Sequence, residues 1–175
     1  MNTILDKYLL QALDAYPYNL DEVVESLNYA LSYNEKNPMA LCLLGQIHAE
    51  SLRNYEVAKE YFQQALAEDM YTLEVYPKYI NVLLWNEDYK EAEKLIDFAL
   101  TVKGTDKAML YLKKAILFEH KRKYKKALKC LKLAKTNAYN NQFIHDLKEE
   151  KNRIKGKMPK KKTENQPSGE AKKDN

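Results

Sequence analysis

Glycine and proline are scarce in this chain, at 4 and 5 of 175 residues. Short strands joined by many tight turns draw heavily on both, so the scarcity argues against an all-β architecture. Cysteine is scarcer still: Cys42 and Cys130 stand far apart in sequence. Both are expected to be reduced, partly buried thiols, with no disulfide and no metal between them. No apolar run approaches the roughly 20 residues that a membrane span needs. The first residues, MNTILDKYLLQALDAYPY, carry no basic segment ahead of their apolar stretch, and Asp6 and Lys7 interrupt it at once. They do not read as an export signal, and a cytoplasmic setting is the expectation. Catalytic motifs are missing too. There is no glycine-rich phosphate loop, HExxH, CxxC or nucleophile elbow, and His48, His120 and His145 are isolated from one another. No catalytic residue, cofactor or metal site is expected.

What the chain has in quantity suits a water-soluble helical protein: 45% hydrophobic and 31% charged residues. A compact chain of this length buries roughly two thirds of its unfolded surface, so it can build a core without covalent staples. The net charge of +4 conceals a split. Residues 1–100 hold 7 basic and 17 acidic residues, a balance of −10, while residues 101–175 hold 22 and 8, a balance of +14.

A period of about 34 residues runs through the sequence. The segments Asn54-Tyr55-Glu56-Val57-Ala58, Asp88-Tyr89-Lys90-Glu91-Ala92 and Lys123-Tyr124-Lys125-Lys126-Ala127 place tyrosine and alanine at spacings of 34 and 35. Seven residues beyond each alanine stands another: Ala65, Ala99 and Ala134, with Ala30 one step earlier. Residues seven apart share a helix face, so each alanine pair is a small patch against which a neighbouring helix can pack closely. Phe62, Ile96 and Leu131, four after the first alanine of each pair, fill the space beside it. Cap signals agree with this period. Asn37-Pro38 reads as an N-cap with proline in the first turn, and Asn19 with Glu22 resembles a capping box. Gly104-Thr105 reads as a helix stop followed by a new N-cap. Helix pairs are expected at about 3–34, 38–69, 73–102 and 106–137, with Pro77 tolerated only in a first turn. A further helix at 141–155 carries Phe143, Ile144, Leu147 and Ile154 on one stripe, placed to cover the last pair. The repeat domain thus spans residues 1–155. Residues 156–175 have almost nothing apolar and are expected to form a disordered basic tail.

On these residues the chain resembles the tetratricopeptide repeat (TPR) family. Leu41, Leu44, Gly45, Ala58, Phe62 and Ala65 fall on that family's pattern of large and small positions. Tyr76, Tyr79, Ile80, Leu83, Ala92, Ile96 and Ala99 match less well, with Ile80 where a small residue is usual. Tyr111, Ala115, Phe118, Ala127, Leu131 and Ala134 fit, but Lys114 replaces an apolar residue. The resemblance covers roughly residues 20–138. It implies an all-α fold, a right-handed α-solenoid of about four antiparallel helix pairs plus a C-terminal capping helix. It also implies a protein-interaction scaffold, binding a protein ligand, a peptide or a helix, in a concave groove lined by the first helix of each pair. Carried over residue by residue, the groove holds Met39, Cys42, Gln46, Ala49 and Glu50. The third repeat adds Glu74, Lys78, Asn81, Leu84 and Trp85, and the fourth adds Met109, Leu112, Lys113, Ile116 and Glu119. Trp85 is either a binding anchor or a packing residue between repeats.

A second candidate surface is basic: Lys121, Arg122, Lys125, Lys129 and Lys132, with the last three at i, i+4 and i+7 on one helix face. Such a face fits nucleic acid or another acidic partner, or is simply a solvated surface.

Overall fold

The computed structural model describes residues 7–159. Among them are nine α-helices and no strand. The helices are α1 (Lys7–Ala15), α2 (Leu20–Tyr33), α3 (Pro38–Glu50), α4 (Tyr55–Glu68), α5 (Val75–Trp85), α6 (Tyr89–Ala99), α7 (Lys107–His120), α8 (Tyr124–Asn137) and α9 (Asn141–Gly156). They form an all-α, right-handed α-solenoid of four antiparallel pairs closed by α9. Residues 160–175, most of the expected basic tail, lie outside the described residues.

Short polar residues start most of these helices by satisfying the free amides of the first turn. Asn37 Oδ1 accepts from the amides of Met39 and Ala40, and Pro38 follows it at the first helical position. Asn54 caps α4, Asp106 caps α7 and Asn140 caps α9 in the same way. At α2 the box is incomplete: Asn19 Oδ1 accepts from the Glu22 amide, but Asn19 Nδ2 donates to Glu22 Oε2, so the two side chains close on each other. Asp106, not Thr105, caps α7. Thr105 Oγ1 instead donates to the carbonyls of Ala99 and Val102, ending the preceding helix. Pro77 is the third residue of α5, where no intrahelical bond needs its missing amide.

Within each pair the packing follows the small positions. A Cβ added to Gly45 would lie 2.9 Å from Cε1 of the fully buried Phe62. The third repeat trades sizes at the same two positions, with Ile80 and Ile96 both fully buried, and the fourth uses Ala115 and Leu131. Ile80 is therefore a volume-conserving exchange rather than a break in the pattern. Lys114 is accommodated by an ion pair from its half-buried ammonium to Asp97. Leu147 and Ile154 of α9 are buried against the last pair, with Phe143 beside them.

Direction reverses inside each of the last three pairs through one residue with positive φ: Arg53 (54°), Glu87 (61°) and Arg122 (54°). Successive first helices touch (α1 with α3, α3 with α5, α5 with α7), and no comparable contact joins successive second helices. The first helices therefore lie on the inner, concave side of the curve. The second helices fan out on the convex side.

Candidate functional site

The concave face is tied together by side chains one repeat apart. Tyr16 Oη donates to Glu50 Oε2 at 2.5 Å, Lys78 Nζ to Cys42 Sγ at 3.9 Å and Lys113 Nζ to Asn81 Oδ1 at 2.6 Å. Arg153 of α9 reaches back to Glu119 with Nη1 and Nη2 at 2.5 and 2.6 Å, and Lys157 joins it at 2.7 Å. These partners stand 32 to 38 residues apart because equivalent positions of successive first helices face one another.

Burial and contacts show the setting of most of the expected groove residues. Cys42 is fully buried, so its thiol forms floor beneath the surface; Ala49 and Leu84 are buried likewise. Burial pushes the Cys42 thiol pKa up, although the Lys78 ammonium pulls the other way. Gln46 Nε2 donates to the Glu50 carboxylate at 3.1 Å. Lys78, Asn81, Leu112, Lys113 and Ile116 are half-buried along α5 and α7. Trp85 is 47% exposed and stands 6.1 Å, centre to centre, from the Tyr55 ring of the preceding repeat. It packs between repeats with one side and is open on the other.

The electrostatics of the face are uneven. At its C-terminal end Glu119 is nearly enclosed, with a 9% exposed side chain. Burial alone would raise its carboxyl pKa, but Arg153 and Lys157 together outweigh that and hold it below the usual range. A cavity of about 470 Å³ opens there, lined in part by Leu112, Ile116, His120 and Arg153. At the centre the balance differs. Lys113 makes its hydrogen bond to a neutral amide, and desolvation lowers its pKa. Lys78 donates to a thiol, that of Cys42. Two cations thus face the middle of the groove, and among the described residues no carboxylate is bonded to either.

Arg153, Lys157 and His120 were not among the residues expected from the sequence. The available signal was the spacing of Arg153 from Glu119, one full repeat, which puts the two at equivalent positions.

The basic residues lie elsewhere, along α8 and the turn before it. Lys121 is half-buried and paired with Glu93 at 2.6 Å, so it belongs to the packing between α6 and α7. Arg122 occupies the left-handed turn position and is exposed. Lys125, Lys129 and Lys132 are exposed on the convex side with no ion pair among the described residues. No described group of His, Cys, Asp and Glu has the arrangement of a metal site. No described helix is long and apolar enough to cross a membrane.

No family model matches the chain, and no curated protein matches it in sequence. Solved structures do match in shape. The chain is similar to PilW, a type IV pilus biogenesis factor, at a TM-score of 0.70 and 16% identity, over 85% of this chain and 69% of that one. It is also similar to MamA (41-end) from Desulfovibrio magneticus RS-1, at a TM-score of 0.66 and 15% identity, over 89% of this chain and 92% of that one. Both are TPR-like helical-repeat proteins, and a TPR-type fold is what the likeness supports.

Proposed function

We propose that this protein is a non-catalytic adaptor that takes a peptide or a partner helix along its concave face. The centre of that face holds an acidic group of the ligand between Lys78 and Lys113. The observation that carries the reading is the Lys113 ammonium: half-buried on the groove floor, it is hydrogen-bonded, among the described residues, to the neutral Asn81 amide. A desolvated cation without a carboxylate partner is unfavourable in the free protein and gains most from an incoming anion. Trp85 and the Leu112–Ile116 stretch supply apolar contact on either side, while Gln46 and Asn81 offer hydrogen bonds. Cys42 contributes the floor. Two buried free thiols suit a reduced, cytoplasmic setting.

Selection of a displayed random-peptide library on the full-length protein tests this reading. Acid-containing sequences are expected, losing about tenfold or more in affinity on Lys113→Met and on Trp85→Ala. Lys90→Ala, on the outer face of α6, leaves them bound. Peptides that bind both groove variants as well as wild type would place the ligand elsewhere.

A further inference from the structure

α8 is unlike the other helices in its charge. From Arg122 to Lys135 the chain holds seven basic residues and no carboxylate. Elsewhere several lysines pair with acids: Lys36 with Glu68, Lys59 with Asp88, Lys114 with Asp97, Lys121 with Glu93 and Lys157 with Glu119. Lys125, Lys129 and Lys132 have no ion pair among the described residues, and all three are exposed. Their position also runs against the helix. α2, α4 and α6 carry acids in their first turns, which the positive end of the dipole favours. α8 instead begins on Lys123, which makes no capping bond, with Lys125 and Lys126 in its first turn. Local stability explains neither feature.

Charge density narrows the partner. Thirteen steps of about 1.5 Å spread the seven cations over roughly 20 Å. That is about one per 3 Å, close to the one phosphate per 3.4 Å along a DNA strand. The chain's own acidic half is a poorer match. α2, the helix of that half with the largest net negative charge, has three carboxylates over 14 residues, and one of them, Glu22, is held by Asn19 and Gln11.

We infer that the convex face of α8 binds the phosphodiester backbone of a nucleic acid, with Lys125, Lys129 and Lys132 as its central contacts. The surface is separate from the groove. A ligand held on the concave side leaves it free, so the protein can join a protein partner to a nucleic acid.

Fluorescence anisotropy on the full-length chain tests this with a 20-nucleotide single-stranded RNA and a 20-base-pair DNA, titrated across about 50–200 mM salt. The tighter of the two names the source of the phosphates. Replacing Lys125, Lys129 and Lys132 together by Gln should weaken binding at least about tenfold at 50 mM salt. It should also reduce the slope of log K against log salt by about 2 for the single strand or about 3 for the duplex. Lys90→Gln with Lys94→Gln, exposed on α6, leaves the slope unchanged. Circular dichroism melting confirms that each variant folds. Three results would overturn the inference: no binding at 50 mM salt, an unchanged slope in the triple variant, or binding to phosphatidylserine vesicles with none to either oligonucleotide.

Discussion

Position 45 leaves no room for a side chain. Any Cβ there meets the ring of Phe62, which is itself fully enclosed and cannot swing away. Gly45→Ala gains roughly 1 kcal/mol of helix propensity but overpacks the pair by about 1–3 kcal/mol. A net loss of about 1 kcal/mol or more in urea unfolding is expected. Gly156→Ala, where nothing lies within 4 Å, does not share that loss. Lys113 gives a prediction of the other sign. Its folded pKa lies below its unfolded value, so the desolvation cost is fully present at neutral pH and disappears as pH rises past about 10.4. Lys113→Met therefore raises stability at pH 7, and the gain closes in alkaline buffer. Unfolding curves of both proteins at pH 7 and pH 11 check it. The alanine landmarks and Phe62 were legible in the sequence because sterics repeat them. The Lys113–Asn81 bond was not. Both residues were candidates, but their pairing depends on how far one first helix is offset from the next.

At the scale of the helix, the starts at Asn19 and Asn37 were legible, because an asparagine side chain there replaces a missing backbone partner. Thr105 shows the limit. Threonine can cap a helix start or bond back to the carbonyls behind it, and only the three-dimensional turn decided for the second. The positive-φ turns were hidden as well, because Arg53, Glu87 and Arg122 are not residues that advertise a left-handed conformation. Glu87→Gly relieves the steric cost of that conformation, roughly 1–2 kcal/mol, and gives back part of it as backbone freedom in the unfolded chain. A net gain of a few tenths to about 1 kcal/mol is expected, seen as a small rise in Tm. The docking of α9 rests on Glu119, whose depressed pKa marks stability that is present above its unfolded value and lost as pH falls through its folded one. Glu119→Gln should cost about 1.5–3 kcal/mol at pH 7, and the difference should shrink once the pH drops below about 4. A salt-bridged pair 34 residues apart carries no local pattern, so sequence periodicity alone does not single it out.

Across the whole molecule, the all-α repeat architecture follows from a period that the sequence displays openly. The division of labour between its two faces does not. Curvature is set by which helices touch, and those contacts put the first helix of each pair inside and the lysines of α8 outside. The charge split from −10 to +14 is a property of composition, but the exposure of Lys125, Lys129 and Lys132 on α8, away from the groove, is a property of the fold. The groove reading and the α8 reading are therefore independent, and each can fail alone. The groove reading is tested most directly by hydrogen exchange on the full-length protein, with and without a peptide selected on it. Slowed exchange should concentrate in α3, α5 and α7 and weaken in Lys113→Met at the same peptide concentration. Protection confined to α4, α6 and α8 would put the ligand on the outer face and contradict the account.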